Sequence, residues 1–551
     1  MDNVSIQVIV DGEVRTVRPG TPVAEVLPPG KDLDVVGALM HHDVVSLDTP
    51  LTVPVTLTPV HRRQREGQDI VRRTATHMVE VILARHFPEL HFRIGQSLYQ
   101  GYYYEYLGHE GDKPNLDEVA HRVDRLLVEM VEADLPLRRR EVTVEEACLL
   151  LSDPGGSMTS LLDAWPFPRV PVVELEGVVA IQHGPFAPST AFARGVRAVP
   201  FPRGMLLQFS REGPRPDPIK SRRLVAAYRE SRDWNRMIGV ATVGDLNQAI
   251  LEDRIEEVIR VQEGLHEKKI VQIADAIAER RDRVRLVCVA GPSSSGKTTF
   301  VRRLSVQLRV AGIEPVIIGL DDYYRDRTQT PRDADGKPDF ESVEALDVDL
   351  LAQHLEALVA GKQVRIPRFD FETGSRVPES RFHPLKLEDH QILLIEGIHG
   401  LNPALMGQVP EEARFRIFVS ALTQLVIDEH NRIPTSDGRL LRRIVRDRRY
   451  RGTPAAGSIE MWPRVRRGEQ RWIYPFQEHC DVMFNSALVY EAAVLKTFAW
   501  RYLLEVPRQD PARVQAYPLL RFLDLFVPIF PDHVPSNSVL REFIGGSGFT
   551  Y

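Results

Sequence analysis

One octapeptide constrains this chain more than any other feature. Gly291-Pro292-Ser293-Ser294-Ser295-Gly296-Lys297-Thr298 completes the pattern GxxxxGK[ST], and Thr299 extends it. RLVCVA (285–290) before it is a short apolar run of buried-strand type, and TFVRRLSVQLRVAG after it has helical spacing up to Gly312. Strand, glycine loop and helix is the context the motif requires. Glycines let backbone N–H groups close around phosphate oxygens, and the helix N-terminus adds a favourable dipole. Residues 291–299 are therefore the expected ATP-binding set, with Lys297 on the β/γ oxygens and the Thr298 hydroxyl on Mg2+.

Two further strand ends carry acids. Pro315–Leu320 (PVIIGL) runs into Asp321-Asp322-Tyr323-Tyr324, and Gln391–Ile395 (QILLI) into Glu396-Gly397. A carboxylate at the C-terminal edge of a parallel strand lies in the crevice where such sheets bind ligands. Asp321 there is placed to take a proton from an attacking hydroxyl; a simple helix or turn cap is the competing reading. Glu396 is placed to contact Mg2+ beside Thr298, or else to pair with a basic neighbour. No NKxD-type guanine motif is present, which argues against a GTPase. Arg439–Arg451 (RLLRRIVRDRRYR) holds seven arginines and one acid in thirteen residues. Its position after the strands favours a lid whose guanidiniums close on phosphates over a nucleic-acid patch.

These motifs, with DFESVEALD, PRFDFETGSR and LLIEGIHGLN, make residues 286–490 resemble the uridine/cytidine kinase and phosphoribulokinase group of P-loop kinases. The resemblance implies an ATP-dependent transfer to a nucleoside 5′-hydroxyl, most simply of uridine or cytidine. Asp321 takes the place of the catalytic base, and Lys297 and Arg446 attend the moving phosphoryl group. Asp347 takes the place of the ribose-hydroxyl binder; Tyr324, Phe369 and Arg376 are further substrate contacts, and Thr298 and Glu396 hold Mg2+. The group's Tyr and His near the base are replaced by Phe369 and Gly374, so base recognition does not carry over directly. Phosphoribulokinase-like or pantothenate kinase-like activity is the nearest alternative. An ATP-gated RNA-binding regulator is the alternative from another class.

The front half has its own pattern. A hairpin over 4–10 and 13–17, a helical stretch near Val23–Leu27 and two strands to residue 47 resemble the β-grasp TGS domain of threonyl-tRNA synthetases. RRTATH, IGQSLYQGYYYEY and HGPFAPST resemble the editing-type second domain of the same enzymes. That domain's hydrolytic pocket would map to Arg73, His77, Gln182 and Phe186. Arg, Gln and Phe cannot rebuild an N/S-ligand site, so a retained scaffold with a changed or absent ligand is expected. Arg62, Arg63, Arg65, Arg72 and Arg73 give the RNA reading local charge.

At 551 residues the chain predicts about 3 to 4 domains. The expected fold is multidomain α/β and α+β: a TGS-like unit over 1–60, an editing-like unit over 61–220, a helical connector over 221–284, and a P-loop kinase with a parallel sheet and C-terminal extension over 285–551. Two helices are expected in the connector, from Arg222 to Arg236 and from Val243 to about Arg281. The formal charge of −6 excludes a globally basic coat protein. Cys148, Cys288 and Cys480 form no CxxC pair, which points to a reducing, cytoplasmic setting. The opening MDNVSIQVIV reads as a strand, not a signal peptide, and no membrane span is expected. The C-terminal tail is expected to pack on the kinase core or on a second subunit.

Overall fold

Alternation decides the first strand: Ile6, Val8 and Val10 are buried and the residues between them exposed. Val4 lies outside the described residues; the computed structural model describes residues 5–30, 32–108, 114–151, 157–333, 335–370, 373–407 and 409–550. Asp11 (φ 50°) and Gly12 (φ 84°) turn the chain into Glu13–Val17 with both residues left-handed, the hairpin geometry that Asp-Gly favours. The sheet runs Glu13–Val17, Ile6–Val10, Val55–His61, Val35–Met40, Asp43–Ser46, with the Ile6–Val10 and Val55–His61 pair parallel. The short helix Val23–Val26 closes one face over Val8, Leu47 and Leu57.

Helix Arg65–His86 belongs to two cores. Ile70 and Val71 pack under the first sheet, whereas Ala75, Met78, Val79 and Ile82 pack with helix Leu116–Ala133. These helices pack with an antiparallel sheet ordered Arg197–Phe201, Gly204–Gln208, Gly101–Tyr106, Phe92–Leu98. A three-stranded sheet of Arg138–Val142, Val170–Leu175 and Val178–Ile181 lies beside them.

The stretch after the Pro-rich break forms three helices rather than two: Arg222–Met237, Val243–Leu251 and Ile255–Ala278. The expected continuous helix from Val243 breaks because Asp253 turns left-handed at φ 62°. The five-residue gap from Ile250 to Ile255 in the apolar register is its trace in the sequence. Thr242 and Asp245 form a reciprocal capping box that starts the second helix. The third helix packs Ile270, Ile273 and Ile277 against Phe300, Val301 and Leu304 of the helix Lys297–Val310. Glu263 and Glu267 on its flank pair with the buried Arg303 at 3.2 and 2.8 Å.

The second half is organised by five parallel strands in the order Glu314–Gly319, Gln391–Glu396, Leu286–Ala290, Arg414–Ser420, Val482–Asn485. Apolar residues serve both faces, as a covered parallel sheet requires. Leu286, Cys288, Leu393 and Ile395 enter one core, and Val287, Val289, Leu394 and Ile417 enter the other. The 291–296 loop, Asp321 and Glu396 thereby arrive together at the carboxyl ends of three strands. The C-terminal tail packs on this core, with Val539, Leu540 and Phe543 fully buried. Among the described residues no helix is long and apolar enough to cross a membrane.

Candidate active site

The loop conformation needs its glycines. Gly291 sits at φ 159°, and a Cβ there would meet the Val419 carbonyl oxygen at 2.0 Å. Gly296 at φ 82° lies in the left-handed region immediately before the helix. Lys297 donates to the Pro292 carbonyl at 3.1 Å across the loop. Thr298 donates its hydroxyl to Glu396 Oε1 at 3.0 Å. Glu396 Oε2 is buried and has no hydrogen-bond partner. Burial pushes the Glu396 carboxyl up to about 7, against the pull of Lys297 and with the repulsion of Asp321 and Glu542 added. Burial holds Lys297 below the usual lysine range, opposed by Glu396, Glu542 and Asp321.

Thr298 and Glu396 together offer hard oxygen donors with one carboxylate oxygen unspent, a set that fits Mg2+. Among the described residues no three His, Cys, Asp or Glu side chains gather into a metal cage. Asp321 is open to solvent, yet surrounded by enough protein atoms to be partly desolvated. Desolvation there raises its carboxyl above the usual range, opposed by Lys297, Arg451 and Arg446. A base with a raised pKa, reachable from the cleft and facing a lysine, has the properties proton abstraction needs.

The arginine-rich helix Thr435–Tyr450 corrects part of the lid reading. Arg439 is fully buried in an ion pair with Glu469, lies 5.3 Å from the Trp462 ring and donates to the Ser293 carbonyl at 2.9 Å. Arg442 is fully buried too, paired with Glu491 and donating to the Ser486 carbonyl at 2.8 Å. These two guanidiniums cannot swing onto a substrate, because leaving would strand two buried carboxylates. They brace the phosphate loop from behind. Arg443 donates to the Ser293 hydroxyl at 3.0 Å. Arg446 pairs with Asp447 at 2.8 Å and contributes to the field at Asp321, so it remains on the cleft side.

On the acceptor side the structure brings Asp347 and Arg376 together at 3.0 Å. Arg376 also donates to the carbonyls of Tyr323 and Tyr324 at 3.2 and 3.3 Å. Asp347 caps the helix Val348–Val359. Phe371 and Glu372 of the FETGSR segment lie outside the described residues. The Tyr324 and Phe369 rings are both buried, 5.7 Å apart. The Tyr324 hydroxyl is spent on the Phe340 carbonyl at 3.1 Å. Gly374 has φ 68°, and a Cβ there would meet the Arg327 guanidinium at 2.9 Å. A side chain's place at this position is therefore already filled by Arg327.

Three residues near the loop escaped the sequence reading. Glu542, in the short helix Arg541–Ile544, accepts from the Thr299 N–H at 3.2 Å and hydroxyl at 3.0 Å. His399 is buried beside Glu341 and pushed down to about 4, mainly by burial. Glu341 is pushed up to about 7 by burial and by Glu469. For Glu542 no local signal existed, since 243 positions separate it from its partner. His399 stood in view within LLIEGIHGLN but has no spacing partner.

In the front half, His77 is buried, bonded to Glu80 at 2.8 Å and edge-on to Phe186. Arg73 donates to the Pro185 carbonyl. The Gln182 N–H donates to the Pro171 carbonyl at 2.8 Å. Of the five arginines that suggested RNA, Arg62 donates to the Arg194 and Phe192 carbonyls, Arg72 pairs with Asp69, and Arg65 lies 3.7 Å from Asp437.

A phosphate loop at one strand end, a cleft-facing aspartate at the next and a hydroxyl–carboxylate pair between them define a P-loop phosphotransferase fold. The profile of the Phosphoribulokinase / Uridine kinase family matches residues 286–491. A uridine kinase of Chloroflexus aurantiacus is 30% identical over 201 residues, covering 36% of this chain and 85% of that protein. A protein of Arabidopsis thaliana named inorganic pyrophosphatase TTM2 is 31% identical over 153 residues, covering 27% of this chain and 21% of its own. A solved structure described as a possible uridine kinase from Bacillus stearothermophilus is 19% identical, covers 39% of this chain and 98% of its own, and has a TM-score of 0.27. The chain belongs to the phosphoribulokinase/uridine kinase family through its C-terminal half.

Proposed function

We propose that the chain is an ATP-dependent nucleoside kinase that transfers the γ-phosphoryl group of Mg-ATP to the 5′-hydroxyl of uridine or cytidine. The observation that carries this reading is Asp321, open to the cleft with a raised pKa and in the field of Lys297 and Arg446. The phosphates lie along 291–299, where backbone N–H groups and Lys297 offset their charge. Mg2+, held by Thr298 and Glu396, supplies neutralisation of the phosphate oxygens. Asp321 orients the acceptor hydroxyl and takes its proton, and Arg446 offsets charge on the phosphoryl group in flight. The Asp347–Arg376 pair fixes the ribose hydroxyls; Asp347 accepts from them while Arg376, 3.0 Å away, holds the carboxylate in place. Catalysis is then chiefly positioning and electrostatics.

The base pocket differs from the pattern the family resemblance implies, because Arg327 fills the space beside Gly374. Arg327 therefore presents donors beside Gly374, where base recognition is expected. The units over 1–60 and 61–220 are read as TGS-like and editing-like modules joined by 221–284 to the kinase at 285–551. His77, buried and bonded to Glu80, supports a scaffold without hydrolytic function.

The test is phosphate transfer from Mg-ATP to uridine, cytidine, adenosine, guanosine, their deoxy forms, ribulose 5-phosphate and pantothenate. Product from a pyrimidine nucleoside is the expected result. Product from ribulose 5-phosphate or pantothenate alone would replace the acceptor assignment. In the same assay Asp321→Asn should lower kcat by about 10²–10⁴-fold with ATP affinity kept; full turnover would remove Asp321 from its role.

A further inference from the structure

The N-terminal turn of a helix that follows a phosphate loop is an anion site, because its free N–H groups and dipole both favour negative charge. In this protein one of those groups is already occupied. The Thr299 N–H and hydroxyl both donate to Oε2 of Glu542, at 3.2 and 3.0 Å. Thr299 lies two residues after the loop lysine, one residue beyond the Mg2+-ligand position, within the stretch on which nucleotide phosphates rest.

Glu542 is presented by a folded segment, not by a loose tail. Val539, Leu540 and Phe543 around it are fully buried. A Val539 methyl carbon stands 2.2 Å from where a Cβ on Gly296 would be, so the segment rests on the loop glycine itself. Phe543 lies 5.2 Å from the Arg442 guanidinium, which braces the loop from behind. Ser538 meets the Tyr490 hydroxyl at 3.4 Å, and Tyr490 donates to Glu263 at 2.6 Å. The segment is thus tied to the phosphate loop, to the brace helix and to the connector helix at once.

We propose that Glu542 is an internal stand-in for a nucleotide phosphate: the C-terminal segment 538–545 holds a carboxylate on the Thr299 anion position, and ATP seats only as that carboxylate withdraws. The proposal rests on the ATP-site reading above. The charge count explains why withdrawal is needed. Lys297 already stands in the field of Glu396, Asp321 and Glu542, so a polyphosphate added beside an unmoved Glu542 places two anions on one donor pair. Nucleotide binding is therefore coupled to the position of the C-terminal segment, and through Ser538, Tyr490 and Glu263 to the connector helix.

The experiment is calorimetric titration of the full chain and its Glu542→Gln variant with ATP, ADP and adenosine, the variant's fold being checked by circular dichroism. ATP and ADP should bind about tenfold tighter to the variant, the scale of one charge-assisted hydrogen bond that no longer competes. Adenosine, which brings no phosphate, should bind both proteins alike. Glu542→Asp, which keeps the charge on a shorter arm, should return affinity toward wild type. ATP binding equally or more weakly to a folded Glu542→Gln overturns the proposal, and so does an equal shift for all three ligands, which a merely structural role would give. If neither protein binds ATP, the ATP-site reading itself falls, and the proposal falls with it.

Discussion

Glu396 has to be ionised to serve a cation, yet the fold resists its ionisation. Its carboxyl rises from 4.5 to about 7. Below the unfolded value both states carry the proton and nothing is lost. Between that value and about 7 the unfolded chain ionises while the folded one does not, so stability falls as pH rises; above about 7 the full cost is present. At about 1.36 kcal/mol per pH unit, a carboxyl raised from 4.5 to about 7 costs roughly 3 kcal/mol when ionised in the folded state. Glu396→Gln keeps an oxygen for the Thr298 hydroxyl and imitates the protonated state, so it should stabilise the ligand-free kinase half by about that amount at pH 8. For a unit of this size that is roughly 5–10 °C in melting temperature. At pH 5 the gain should shrink to about a quarter of that. Differential scanning calorimetry of both proteins at the two pH values measures the gap. Melting temperatures that differ equally at pH 5 and pH 8, or do not differ at pH 8, would refute the assignment of burial as the dominant cause. The same variant should lose phosphoryl transfer, so stability and activity part company at one residue.

Arg442→Met leaves Glu491 buried without its cation and should destabilise the kinase half by about 3–5 kcal/mol. Adding Glu491→Gln should recover much of that loss in a denaturant melt; an undisturbed single variant would show that the pair is not structural. Asp347→Asn should raise KM for the nucleoside several-fold while KM for ATP stays level, and equal effects on both would place Asp347 in helix capping alone. Gly374→His, which restores the side chain implied by the family resemblance, should cost about 1–2 kcal/mol for the left-handed backbone and more through Arg327. Combining it with Arg327→Ala should relieve only the second part, as paired thermal melts would show.

What the sequence determined by itself was whatever chemistry writes into contiguous residues. Gly291 and Gly296 are required by backbone angles and a 2.0 Å approach to Val419, so the loop could be read without any partner in view. Asp321 and Glu396 were legible because strands of this kind end where ligands bind, and the apolar runs before them mark the ends. The hairpin at Asp11-Gly12 and the helix Leu116–Ala133 were legible for the same local reason. Tertiary structure decided what depends on a second, distant residue. Arg439 and Arg442 looked like lid cations until Glu469 and Glu491 proved to hold them from 30 and 49 positions away. That Phe369 and Tyr324 bury their rings against each other is likewise visible only in the fold. Glu542 carried no signal at all, because its meaning lies in Thr299, 243 positions earlier. Charge pairing and burial are properties of neighbours in space, and composition and spacing along a chain do not specify who those neighbours are.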